Sequence, residues 1–327
     1  MSFSVLVLAA VALCLAGPVP VLLGRAAWPS RSPGLAVLAW QAVALAGGLA
    51  LVGTPLLWGL HPWGDGLLDA VPALLADLTS PDSGIARPGS APAEVHLLAV
   101  GAGLTVALHL LLTTAVTALR TLRARSRHRA ALELIATDPE RADDWPGGPR
   151  GARELPVDLP LAYCVPGVPG GGTPLTVVSR GLLERLSPEE LRAVLLHERA
   201  HLAQHHGLLR LAFASWARAC AWLPSAETAR AGVVLVTEML ADDAARRTAP
   251  APVLARALAL TVRPAEAPGA SASGPDAEPD AESGGLGRRV ARLLDPPAPV
   301  PGAVAGAAAA ACLALPLAVL AVILGPA

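Results

Sequence analysis

The chain has 327 residues, 53% of them hydrophobic and 16% charged, with a formal net charge of −1. A mean hydropathy of +0.51 is too apolar for an ordinary soluble enzyme, and the near-zero charge removes any global case for nucleic-acid binding. Lysine is absent, and the four cysteines (Cys14, Cys164, Cys220, Cys312) are far apart with no C-x-x-C pair. Neither a disulfide framework nor a thiolate metal site is expected.

In chain order, four segments come close to the run of about 20 apolar residues that a bilayer crossing needs. They are 3–23, 35–59, 95–118 and 303–325. The first has no basic leader, and Arg25 follows its apolar run, so it reads as an anchor and not as a cleaved signal. Pro18 and Pro316 interrupt two of the segments, which membrane helices tolerate when neighbours satisfy the freed backbone. Arginine placement sets the orientation. Arg25 and Arg31 lie in the first connection. The 60–94 connection is acidic, with Asp65, Asp69, Asp77, Asp82 and Glu94 against Arg87. The third span is followed by Arg120, Arg123, Arg125, Arg127 and Arg129. Both termini are therefore expected outside a plasma membrane and residues 119–302 in the cytoplasm, with Trp58 and Trp63 near the outer interface and Trp28 near the inner one. The basic run, directly after a span, fits retention and anionic-lipid contact better than nucleic-acid binding. His109 is an ionisable group within a span, which makes it a functional candidate, although a plain interhelical hydrogen bond is the more economical account of it.

The expected organisation is a membrane domain over 1–118, a cytoplasmic domain over 119–302 and a last span within 303–327. The cytoplasmic part opens with a basic helix at 119–136 and a Gly/Pro/acidic loop at 137–153. Short strands follow at Leu161–Val165 and Leu175–Ser179. Helices are predicted at 180–186, 188–206, 208–222 and 226–247, with a weaker one at 252–262. Val177 and Val178 suit either core packing or an edge strand that holds an extended peptide. The 208–222 segment, with Leu208, Leu209, Leu211, Phe213, Trp216 and Trp222, suits core or membrane contact, while Arg210 and Arg218 exclude a span. Residues 263–286 have a disordered composition and are expected to be a tether, with a cleavage site as the lesser alternative. Arg288–Leu294 is expected to form a short helix.

Residues 197–201 read His197-Glu198-Arg199-Ala200-His201, an H-E-x-x-H motif. Two histidines four apart share a helix face, and two neutral imidazoles on one face suit a zinc ion. Glu198 then stands where a carboxylate can take a proton from a water in peptide hydrolysis. The helix has a clear start, with Ser187 as N-cap, Pro188 at its first position and Glu190 completing a capping box. Leu191, Val194, Leu195 and Leu202 form its apolar stripe. A third ligand is needed. A metzincin would have glycine at 204 and histidine at 207, but this chain has Gln204 and Gly207. His205 would ask one straight helix to bring three successive turns to one ion. Glu238, on the predicted helix ending near Arg247, is the better candidate, with Asp242 one turn on to accept the N–H of a ligand histidine. Asp243 is rotated away, as a solvent-facing or helix-end charge. Tyr163, Arg246 and Arg247 are the candidates for stabilising an oxyanion.

The run Val177-Val178-Ser179-Arg180-Gly181-Leu182-Leu183, then Leu186-Ser187-Pro188-Glu189-Glu190-Leu191 and the H-E-x-x-H motif, resembles the BlaR/MecR-type membrane metallopeptidases. Glu238-Met239-Leu240-Ala241-Asp242 looks like the E-x-x-x-D element of that family and of the HtpX/CAAX-prenyl-protease family. Three spans before the motif and one after it match the BlaR/MecR layout, whereas HtpX-like enzymes place the motif between two pairs of spans. The resemblance implies a mainly α membrane protein with a cytoplasmic α+β, gluzincin-like peptidase domain between spans three and four. It implies one Zn2+ per chain, held by His197, His201 and Glu238, with Glu198 as general base and acid. It also implies a cytoplasmic protein substrate, a repressor of the BlaI/MecI type, beside the lipid bilayer. The best-known members carry a penicillin-binding sensor after the fourth span; here the sequence stops at Ala327, so β-lactam sensing by that route is not expected. Membrane-protein quality control, and a non-catalytic receptor with structural zinc, are the alternative functions.

Overall fold

The computed structural model describes residues 3–79, 91–136, 152–165, 174–261 and 279–325. Four helical stretches, Phe3–Arg25, Pro33–Leu60, Glu94–Ile135 and Gly302–Leu324, are long and apolar enough to cross a membrane. The first is broken at Gly17 into α1 (Phe3–Ala16) and α2 (Pro18–Arg25). Pro18 and Pro20 lack the N–H groups that would continue the ladder there. α3 (Pro33–Leu60) absorbs Pro55 without a break. α4 (Leu67–Thr79) follows. α5 (Ala91–Ile135) runs for 45 residues, so the third span and the basic helix expected at 119–136 are one element. No glycine or proline between Leu104 and Ile135 gives it a place to stop.

α3 is the hub of the apolar helices. Val5, Leu8, Ala46, Ala50, Leu57, Val319 and Ile323 form a core between α1, α3 and α12 (Gly302–Leu324). Two glycines of α3 set its distance to its neighbours. A Cβ at Gly53 would lie 2.5 Å from Ile323, and one at Gly59 would lie 2.6 Å from the His96 carbonyl.

Among the described residues the sheet has three strands in the order β1 (Ala152–Leu155), β3 (Leu175–Ser179), β2 (Ala162–Val165). β1 runs parallel to β3, pairing Arg153 with Val177, and β2 runs antiparallel, pairing Tyr163 with Val177. Two expectations change here. Ala152 and Arg153 belong to a strand and not to the 137–153 loop, of which 137–151 lie outside the described residues. Val177 and Val178 are fully buried in the central strand, so they are core and not a peptide-holding edge.

The helices that follow are α6 (Arg180–Leu183), α7 (Pro188–Ala203), α8 (His206–Ala219), α9 (Pro224–Ala245), α10 (Ala251–Leu260) and α11 (Pro279–Leu294). The helix expected over 188–206 ends at Ala203, because His205 takes a left-handed conformation (φ 52°) and starts a new helix. Residues 263–278 of the expected disordered stretch lie outside the described residues, but from Pro279 the chain is helical. Val178, Leu182, Leu186, Leu191, Val194, Leu195 and Ala257 form the core that fixes α7 on the sheet. A second cluster packs α9 against α3 and α8 through Val233, Val236, Ala36, Trp40 and Phe213.

Candidate metal centre

α7 begins as its residues dictate. The Glu190 backbone N–H donates to Ser187 Oγ at 3.3 Å, and the Ser187 N–H donates to Glu190 Oε2 at 2.8 Å, with Pro188 in the first turn. This fixes the helical phase that points His197 and His201 toward α9. His197 Nε2 lies 3.1 Å from His201 Nε2, 3.3 Å from Glu238 Oε2, and His201 Nε2 lies 3.4 Å from Glu238 Oε1. The three ligand atoms sit within 4.8 Å of one another, the grouping of His, Cys, Asp or Glu side chains among the described residues that suits a metal ion. Two ligand nitrogens of a tetrahedral zinc at about 2.0–2.1 Å stand roughly 3.3 Å apart, close to the spacing found.

The outer ring nitrogens also face neighbours, that of His197 as a close charge contact off hydrogen-bond alignment and that of His201 as a hydrogen bond. His197 Nδ1 lies 2.9 Å from Asp242 Oδ1, and His201 Nδ1 lies 2.9 Å from His206 Nδ1. His206 Nε2 in turn lies 3.2 Å from Gln204 Oε1. If each ligand histidine donates from Nδ1, both Nε2 lone pairs converge on one point beside a carboxylate. Such a set repels itself without a cation at the centre, so the residues fit a metal.

Two arginines complete the cluster. Arg210 of α8 donates to Glu238 Oε1 at 2.6 Å and to Thr237 Oγ1 at 2.9 Å. Arg289 of α11 lies 2.7 Å from Glu238 Oε2 and forms a two-pronged pair with Asp242, 2.8 Å on each arm. A carboxylate oxygen has two lone pairs, so Glu238 can accept from an arginine and still face a metal. Burial opposes charge throughout, and the neighbours overrule it in most places. Despite burial, Arg289, His197 and Arg210 hold the Glu238 carboxyl well below its usual range. Asp242 is lowered against burial by Arg289 and His197. His197 resists burial through Asp242 and Glu238 and rises to about 9. Burial drives His201 down to about 2 and His206 to about 4.

The structure thus brings together His197, His201, Glu238 and Asp242. Glu198 is half-buried on the same helix, and its charge acts on Arg289 and on the Cys164 thiol of β2, which burial pushes up to about 12. His205 stays outside the cluster: its left-handed backbone turns the chain away after α7. Asp243 is not a free helix-end charge, since Arg292 of α11 grips it at 2.7 and 2.8 Å. Of the oxyanion candidates, the Tyr163 hydroxyl is 3.0 Å from His128 Nε2, Arg246 faces Asp243 at 3.7 Å and Arg247 is exposed. Sequence reasoning missed Arg210, Arg289 and His206. Only His206 left a local signal, its position in the His205-His206 pair just beyond the motif.

A helix-borne histidine pair, a glutamate from a second helix and an aspartate behind one histidine define the site class of a metallopeptidase. Residues 159–263 match the family model of peptidase family M48, which supports a metallopeptidase over that stretch, of a kind that is generally zinc-dependent. No curated protein and no solved structure matches the chain.

Proposed function

We propose that the protein is an integral-membrane zinc metalloendopeptidase that cuts a cytoplasmic protein, a transcriptional repressor of the BlaI/MecI type, in transmembrane signalling. The observation that carries the catalytic part is the convergence of His197 Nε2, His201 Nε2 and Glu238 within 3.1–3.4 Å. The BlaR/MecR layout, three apolar spans before the motif and one after, supports the signalling part. A zinc ion held by His197, His201 and Glu238 would supply Lewis acidity toward a water and toward the scissile carbonyl.

The protein's own groups do the rest. Glu198, beside the first ligand histidine, takes the proton of the attacking water and passes it to the leaving amine. Asp242 lies 2.9 Å from His197 Nδ1, where its charge raises the basicity of the ring. His206 holds His201 by a hydrogen bond at Nδ1, and Arg210 and Arg289 keep Glu238 ionised. Among the described residues β2 is an outer strand of the sheet, and it packs against α7.

The test is to incubate the purified protein with a winged-helix repressor encoded beside it, comparing wild type with Glu198→Gln. Cleavage at one bond, reduced at least about 100-fold in the variant while zinc content is kept, is expected. Broad cleavage of an unfolded protein such as casein would instead favour quality control. Equal behaviour of the two proteins sinks the peptidase reading.

A further inference from the structure

We propose that the α8–α9 hairpin is a re-entrant membrane element, which enters the bilayer from the peptidase side and turns back near mid-depth. The inference rests on the reading that the four apolar helices span a membrane. The hairpin does not dock on the ends of those helices; its tip lies alongside their middles. His109 Nε2 of α5 lies 2.9 Å from the Ala219 carbonyl at the end of α8. Trp216 of α8 packs on Gly48 of α3, at 3.3 Å from where a Cβ would stand. Ser225 at the start of α9 donates to the Ala16 carbonyl at the α1–α2 break. Ala219, Cys220 and Ala226 form a buried cluster with Leu110 of α5.

The depth follows from two independent helices. Arg25 and Arg120 close the apolar runs of the first and third spans on the peptidase side. His109 stands eleven residues inside Arg120, and Ala16 nine residues inside Arg25, which at ~1.5 Å per residue is ~16 Å and ~13 Å. Both depths come near the middle of a ~30 Å hydrocarbon core. α9 leads back out from there: Gly232, which packs against the buried Trp40, lies seven residues, ~10 Å, from Ser225.

The polar bookkeeping suits a turn in lipid, where an unpaired backbone group is costly. The Ala16 carbonyl lacks its usual helical partner because Pro20 has no N–H, and Ser225 replaces it. The Ala219 carbonyl, at a helix end, is met by His109. This gives that intramembrane histidine its task. The cleft between the hairpin and the spans is lined by Leu15, Val43, Leu51 and Trp216 among other apolar side chains. Trp222 at the tip is 67% exposed, an apolar surface that acyl chains would cover. Glu227 is neutralised by its two-pronged pair with Arg230. Arg218 sits near the tip of α8, whose side chains slant toward its N-terminus, so its guanidinium reaches back toward the boundary. One consequence concerns the substrate. Glu238 is thirteen residues, ~20 Å, from Ser225 along α9, which carries it from mid-depth to just outside the core, so the site works on a peptide bond held at the membrane surface.

The experiment measures Trp222 in proteoliposomes as the fluorescence difference between wild type and Trp222→Phe. Lipids brominated at mid-chain are expected to quench this component at least twofold more strongly than aqueous iodide does. The reverse order overturns the proposal. As a second measure, Ala221→Cys is placed in a chain with its native cysteines replaced. In open membrane sheets it should resist a charged maleimide that labels a control Arg185→Cys, and should react after detergent is added. Equal labelling of the two positions overturns the proposal. Alkaline carbonate extraction separates the two levels: release of the protein from membranes defeats the spanning reading itself, whereas retention with an iodide-accessible Trp222 defeats the hairpin alone.

Discussion

At the scale of single residues, the centre is a contest between burial and charge, and His197 shows the outcome. Its value of about 9 lies above the ordinary 6.5, because Asp242 and Glu238 outweigh burial. In the metal-free protein it is protonated at pH 7, while His201, lowered to about 2, is neutral. The charged form of His197 stabilises the metal-free fold fully below pH 6.5, and this contribution is lost as pH rises through about 9. Zinc binding needs the neutral imidazole. At pH 7 it is therefore expected to displace about one proton from this residue, and the release should fade as pH passes about 9. Titration calorimetry in buffers of different ionisation enthalpy measures this, and a release that does not change from pH 7 to pH 10 would contradict the assignment. The pairing of His197 with His201 and of Glu238 with Asp242 was legible in the sequence because each pair stands in a helical i, i+4 relation. Arg289 was not, since it reaches Asp242 across 47 residues that carry no shared local pattern.

At the scale of elements, α11 acts as a clamp. Arg289 grips Glu238 and Asp242, and Arg292 grips Asp243 and also donates to the Ser30 carbonyl at 2.6 Å, in the turn between α2 and α3. One short helix before the last span thus ties the metal centre to the connection of the first two. Removing Arg289 takes the two-pronged partner from the buried Asp242 and leaves Glu238 with Arg210 as its remaining arginine. Arg289→Ala should cost about 3 kcal/mol of stability, read as a lower denaturation midpoint of the detergent-solubilised, metal-free protein. Arg289→Lys should recover little, because an ammonium cannot span both carboxylates as the planar fork does. An unchanged midpoint would remove the clamp. The sequence foretold the capped start of α7 and the strands β2 and β3 from local chemistry alone. It missed β1, whose Ala-Arg-Glu-Leu has no β-branched residue and is held by pairing with β3 more than twenty positions away. The start of α11 was hidden for a similar reason: Pro279 to Gly285 is poor in apolar residues, and its order comes from the contacts of the helix's later turns.

At the scale of the molecule, the four long apolar helices were plain from hydropathy, because length and composition suffice to mark them. The placement of α8 and α9 among them was not. Arg210, Arg218 and Arg230 interrupt the apolar pattern, and only the contacts with α3 and α5 place the hairpin alongside those helices. The whole arrangement is a metal-site helix, α9, mounted directly on an apolar span through Trp40, with the histidine helix α7 packed against its far end. The central claim is that this arrangement holds a zinc ion between two histidines and a glutamate. Zinc-edge X-ray absorption of the purified protein tests it most directly. One zinc per chain is expected, with nitrogen and oxygen neighbours at about 2.0–2.1 Å, two of them imidazoles, and a shell that loses an oxygen in Glu238→Ala. A shell containing sulfur at about 2.3 Å, or zinc bound unchanged after both His197→Ala and His201→Ala, would contradict it.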